Sequence, residues 1–343
     1  MRTLPRPLAT WVTLALSLAA AACGERDGGT AGSPAQGSKA EVASAQRIRL
    51  QLNWVPEPEF GGIYAALQDG LYRDAGLDVE VIKGSAQVPS AQLVAQGACE
   101  TAIVSGDEIL TLRRKGGSLT GIFAIFQRNP TGFLLHQSNP IRTIEELWRS
   151  DSTVALDPGL PFVKILDAKY GGERLKRVPA TGALATFLAT PGFVQQCFIS
   201  AEPVEVRLRG VDARVLGLES VYNPYTAVIA AHGPWLAANR DAAMRFVRAT
   251  SEGWSRYQRD PQRYNPGIAA QNPAMSLEAM NVAAEIQRDL VEASPIGRMS
   301  ADRWSELGRQ LQAIGAIPDA SADGAFEDLF AAPVPAGNAA AAQ

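Results

Sequence analysis

Histidine and cysteine are scarce in this chain, and its one long apolar run lies near the N-terminus. Two histidines, His136 and His232, and three cysteines, Cys23, Cys99 and Cys197, are spread over 343 residues. No CxxC and no Cys/His spacing typical of a metal site occurs among them, so no metal or cofactor is expected. Excess positive charge is missing as well: 32 Lys and Arg against 35 Asp and Glu leave a net charge of -3. Binding to a phosphate backbone needs clustered Lys and Arg, so nucleic acid is set aside as a partner. With 46% hydrophobic and 20% charged residues, the chain has enough apolar material for a large core divided over two lobes.

The N-terminus reads as a targeting segment. Arg2 and Arg6 precede an apolar run from Leu8 to Ala22, and small alanines lead into Cys23-Gly24. This is the pattern of a bacterial lipoprotein signal, in which residues 1–22 are removed and Cys23 carries the lipid. Two or more acyl chains hold a protein firmly at a bilayer surface. Ala20 stands where this signal usually has Leu, and the alternative is an ordinary signal peptide with an incidental cysteine; both routes export the protein. Residues 23–46, rich in Gly, Ser and Ala, read as a flexible tether, and residues 331–343 as a frayed tail. In an exported protein Cys99 and Cys197 would be free to pair. They fall in different lobes of the organisation below, where a bond would lock the cleft, so two buried thiols are expected.

The stretch that organises the rest runs from Ile48 to Ile82. Ile48, Leu50 and Leu52 alternate with Arg49, Gln51 and Asn53 at the period of a half-buried strand. Pro56 and Pro58 end it, Gly61-Gly62 allow close backbone approach to whatever lies above the strand end, and Ile63 to Gln68 turn helical. A βαβ unit puts its first loop at the carboxyl edge of the sheet, where open α/β sheets hold ligands. Asn53 would then offer an amide, Trp54 a flat face, and Phe60 one closing side. Trp54 and Phe60 serve equally well as core caps. Thr101 to Val104 reads as a strand ending at Ser105-Gly106-Asp107, where Asp107 is either a ligand contact or the N-cap of the helix that follows.

A second unit repeats the plan. Thr153 to Leu156 runs into Asp157-Pro158-Gly159-Leu160-Pro161 and a helix from Phe162 to Tyr170, placing Gly159 and Phe162 beside the same gap. Val194 to Ser200 leads to Ala201-Glu202-Pro203. Glu202 is either a surface residue before a proline or a cleft carboxylate able to accept strong charge-assisted hydrogen bonds. Tyr225, in the YNPY turn, is a further stacking candidate. Pro234 to Asp260 reads as one long helix, and Trp304, Leu307 and Leu311 as core. The expected fold is α/β, with a mixed sheet flanked by helices in each of two lobes and two crossing hinge strands. The lobes would be residues 47–130 plus 229–330 and residues 131–228, with hinges near Gln127 to Gly132 and Val221 to Thr226.

LNWVPEPEFGGIYAALQDGLYRDAGLDVEVI resembles the opening of the ABC-transporter solute-binding proteins related to the thiamine-pyrimidine-precursor, riboflavin and sulfonate binders. The likeness continues through VAQGACETAIVSGDEILTLRRKG, FVQQCFISAEPVEVRLRG, YNPYTAVIAA, RFVRATSEGW and SADRWSEL. It implies a type II periplasmic-binding-protein fold and a monomeric, non-enzymatic capture protein, lipid-anchored and facing the periplasm or cell exterior. Its partners would be an ABC permease and its ATPases. Thiamine-precursor binders carry a histidine where this chain has Phe60 and Thr-Gly where it has Gly61-Gly62, and the PEPEFGG form is closer to the riboflavin type. A small flat heterocycle is therefore expected to contact Asn53, Trp54, Glu57, Phe60, Ser105, Asp107, Gly159, Phe162, Glu202 and Tyr225. Sulfonate or nitrate is the less favoured ligand, because Glu57 and Glu59 would repel an anion. A related pyrimidine synthase uses a histidine and an iron-bearing cysteine cluster, neither of which stands at the matching positions here.

Overall fold

The computed structural model describes residues 45–331 except positions 86 and 182. The signal segment, Cys23, nearly all of the tether and nearly all of the tail lie outside the described residues. Among the described residues ten strands form two sheets. The first contains β1 (Gln46–Gln51), β2 (Leu77–Ile82), β3 (Thr101–Val104) and β4 (Leu119–Phe126), together with the late strand β10 (Thr226–His232). The second contains β5 (Thr131–His136), β6 (Thr153–Leu156), β7 (Lys176–Pro179), β8 (Val194–Phe198) and β9 (Ala213–Gly217). Their orders, β2-β1-β3-β10-β4 and β7-β6-β8-β5-β9, follow one plan. In each, the first three strands run parallel and a fourth runs antiparallel between its two neighbours.

This is the expected α/β architecture of two mixed sheets flanked by helices. The chain passes between the sheets at residues 127–130 and again at 218–225. The return strand β10 already pairs with β4 at Thr226, ahead of the boundary expected at residue 229. The two crossing segments are tied together. Asn129 donates from Nδ2 to the Tyr222 carbonyl at 2.8 Å, and its backbone N–H reaches Asn223 Oδ1 at 2.8 Å. Arg303, on the C-terminal helix Ala301–Ala313, donates to the Asn223 and Pro224 carbonyls at 3.1 and 3.0 Å.

One core lies on the face of the first sheet that carries Ile48, Leu50, Ile103 and Ile229, all fully buried as the strand alternation requires, and a second covers the opposite face through Ala102, Val104, Val228 and Ala230. Gln51 departs from the half-exposed expectation. It is buried because its amide crosses the sheet edge to the Leu52 and Lys83 carbonyls at 2.9 and 3.1 Å. Trp304, Leu307 and Leu311 are core, as their spacing suggests. The long helix expected from Pro234 is two helices, Gly233–Ala238 and Arg240–Arg259, broken at Asn239 where φ is -130° and ψ 34°. Strand β7 was not legible: KRVP is exposed throughout, so no alternation marks it.

Gly61 and Gly62 do not approach a ligand. They open the helix Gly61–Gln68, which packs on the helix Arg240–Arg259. A Cβ on Gly62 would meet the Trp254 ring at 2.1 Å, and one on Gly253 would meet the Gly62 carbonyl at 2.2 Å. The glycines allow two helix backbones to touch. Cys99 and Cys197 are free and buried. Among the described residues no helix is long and apolar enough to cross a membrane.

Candidate functional site

A cleft of about 730 Å³ opens where β1 and β8 end. One wall is the loop after β1, carrying Asn53, Trp54, Val55, Glu57 and Glu59. The facing wall comes from the end of β8 and the helix Glu202–Leu208, with Phe198, Ala201, Glu202, Glu205 and Arg209. Leu184, Asn272 and Met275 close the sides.

The first wall is held by partners distant in sequence. Asn272 Nδ2 donates to the Pro56 carbonyl at 3.0 Å, and Gln287 Nε2 to the Pro58 carbonyl at 2.7 Å. The Gly84 N–H donates to the Trp54 carbonyl at 3.0 Å, and a Cβ on Gly84 would lie 2.6 Å from the Trp54 nitrogen. Among the described residues Trp54 is the large aromatic with the most surface uncovered, 41% exposed. Its indole lies near enough to Glu57 to pull that carboxyl's pKa down. Asn53 lines the cleft, and its Oδ1 is buried with no hydrogen-bond partner. On the facing wall Phe198 packs edge-on against Phe126 at 5.6 Å, and Glu202 Oε2 accepts the Phe198 N–H at 2.8 Å.

Charge sets the character of the cleft. Four carboxylates line it, Glu57, Glu59, Glu202 and Glu205, against the single cation Arg209. Burial pushes the Glu57 carboxyl up to about 7; the charge of Glu202 adds to this and the Trp54 indole opposes it. Burial, and then the neighbouring Glu57, hold Glu59 well above the ordinary carboxylate range. Glu202 is raised by burial against the pull of the Phe198 amide. Such a site favours a proton or a cation and, with Arg209 alone as a positive group, offers no net positive charge to an anion.

A consequence is measurable in the unliganded protein. The folded state holds the Glu57 proton up to about pH 7, whereas the ordinary carboxyl value is 4.5. The stability this confers is complete below the unfolded value and is lost as pH rises through the folded one. The melting temperature should therefore fall between about pH 5 and pH 8, and Glu57→Gln should flatten the decline. An unchanged slope in the variant would contradict this assignment.

Of the residues expected at the site, Asn53, Trp54, Glu57 and Glu202 share this cleft. The others lie elsewhere, each for a visible reason. Phe60 is fully buried in the first core. Phe162 is buried with its ring edge-on to Phe133 at 5.9 Å. Gly159 turns its N–H onto Asp157 Oδ1 at 2.9 Å. Tyr225 is buried; its hydroxyl accepts the Ser300 N–H at 2.9 Å, and the Arg303 guanidinium lies 3.8 Å from its ring centre. Ser105 caps the helix Gly106–Arg114 in a reciprocal box with Glu108, its N–H and hydroxyl both directed at Glu108 Oε2. Asp107, in the first turn of that helix, is raised by burial but does not line the cleft. Phe198, Asn272, Met275, Glu205 and Arg209 were missed. The signals for the last two were weak, since charged residues on a short helix read as solvated surface.

Two mixed sheets with matching strand orders and a cleft at their strand ends define a periplasmic-binding-protein fold, and comparison with known proteins agrees. Residues 57–264 match the family described as NMT1/THI5 like, and the chain belongs to that family. It is 24% identical over 222 residues to the riboflavin-binding protein RibY of Chloroflexus aurantiacus, a match covering 61% of each chain. The alignment thus spans about three fifths of that relative. The aliphatic sulphonate binding protein SsuA of Escherichia coli shares the fold with a TM-score of 0.63 at 13% identity, covering 80% of this chain and 89% of that one. The nitrate-binding protein NrtA of Synechocystis PCC 6803 does so with a TM-score of 0.55 at 14% identity, covering 82% and 84%.

Proposed function

We propose that this protein captures a small flat heterocycle bearing N–H donors, of the riboflavin or thiamine-pyrimidine-precursor kind, and passes it to an ABC importer. One observation carries the reading: the open face of Trp54 and the carboxylates of Glu57 and Glu202 line one cleft. The ring stacks on the indole, and its N–H edge donates to the carboxylates and to Asn53 Oδ1. The capture is non-enzymatic. Lipid attachment at Cys23 would keep the monomer beside its permease and ATPases. The cleft would close by rotation about residues 127–130 and 218–225, drawing Glu202 toward Trp54.

Sulfonate or nitrate binding, suggested by the neighbouring structures, is disfavoured by the same cleft. The one arginine is already paired with Glu205 and stands among four carboxyl groups, so the cleft offers no net positive charge to an oxyanion, and its size suits a ligand larger than nitrate. A ligand that binds only the folded state raises the melting temperature by mass action. Incubation with riboflavin or an aminopyrimidine should therefore raise it, while taurine, an alkanesulfonate and nitrate should leave it unchanged. A shift with the anions alone would reverse the reading.

A further inference from the structure

The cleft, about 730 Å³, has room for more than one flat ring system, and the helix Glu202–Leu208 contributes to one wall of it. Glu202 and Glu205 on the helix and Arg209, which caps its C-terminus, are spaced at i, i+3 and i+7 and so lie along one face. At 1.5 Å per residue, Arg209 stands about 10 Å beyond Glu202. The rungs differ in exposure and chemistry. Glu202 is only partly exposed and accepts the Phe198 N–H, whereas Arg209 is 53% exposed and pairs with Glu205 at 3.6 Å. The inner end presents carboxylate acceptors, and the mouth presents one acceptor and one donor group side by side with no net charge.

From this we infer that the ligand carries a neutral, polyhydroxylated tail, and that Glu205 and Arg209 select it. A hydroxyl both donates and accepts, so a chain of hydroxyls satisfies a carboxylate and a guanidinium together. A bare ring leaves both groups to each other and to water. A phosphate would gain Arg209 but meet Glu205 beside it and the carboxylates behind. The inference rests on the ring-binding reading above.

Three flavins separate the possibilities: lumichrome, the ring alone; riboflavin, the ring with its polyol; and FMN, the phosphate ester of riboflavin. Each is titrated into the wild-type protein, Arg209→Ala and Glu205→Gln, with tryptophan fluorescence as the readout. Riboflavin should bind wild type about tenfold tighter than lumichrome, and FMN no tighter than riboflavin. In both variants riboflavin should weaken toward lumichrome, whose own affinity stays unchanged. Equal binding of lumichrome and riboflavin by wild type, or a riboflavin advantage that survives both substitutions, would overturn the inference. So would a loss of lumichrome binding in the variants, which marks a structural role. An Arg209-dependent preference for FMN would replace the neutral tail with an anionic one. If no flavin binds wild type while an aminopyrimidine does, the tail inference falls and the ring reading stands; if neither ring class binds, both fall.

Discussion

Replacing Trp54 by alanine should weaken binding of a flat heterocycle about 10- to 100-fold while leaving the melting temperature within about 2 °C of wild type. The large effect on binding follows from the stacking surface removed. The small effect on folding follows from position, since the indole is 41% uncovered and packs into none of the hydrophobic core clusters. Trp54→Phe separates the two contributions of this side chain. It keeps an aromatic face but is smaller and loses the polar indole that lowers the Glu57 carboxyl, so its affinity should fall between those of wild type and the alanine variant. Calorimetric titration beside a thermal melt checks all three proteins. A Trp54→Ala variant that unfolds would instead assign the indole to core packing, and one that binds normally would remove it from the site.

Gly62→Val should have the largest effect on stability. The first atom added would sit 2.1 Å from the Trp254 ring, and the facing Gly253 already approaches the Gly62 carbonyl too closely to admit a Cβ. Trp254 is fully buried and has no room to turn away, so the two helices must separate. Overpacking at this severity costs about 3 kcal/mol or more, a drop in melting temperature of about 6 °C or more. Denaturant unfolding of the variant measures it directly. A stability equal to wild type would mean that the contact between these helices is looser than described.

The two cases show what was legible in the sequence. Alternation at Ile48, Leu50 and Leu52 marks β1 because one physical cause, burial of one face, acts at every second residue. The paired βαβ units and the late return of β10 to the first sheet follow from repeated strand, turn and helix signals. Gly61-Gly62 is different: glycine signals close approach without naming the partner, and Trp254 and Tyr257 are nearly two hundred residues away in the chain. The same limit governs the site. Asn53, Trp54, Glu57 and Glu202 follow strand ends, which topology places at the cleft. Tyr225 and Phe162 also sit near strand ends, but each side chain turns into the core, a direction set by packing. Asn272 and Gln287 carry no local mark, because their role is to hold a loop that folds against them from the other end of the sequence.

The importer reading depends on where a ring would lie, and a ligand-bound crystal structure with riboflavin or an aminopyrimidine tests that most directly. The account predicts the ring plane against the Trp54 indole, with ring N–H or amino groups about 2.7–3.2 Å from carboxylate oxygens of Glu57 or Glu202. A ring bound outside this cleft, or one inside it that touches neither the indole nor a carboxylate, would contradict it.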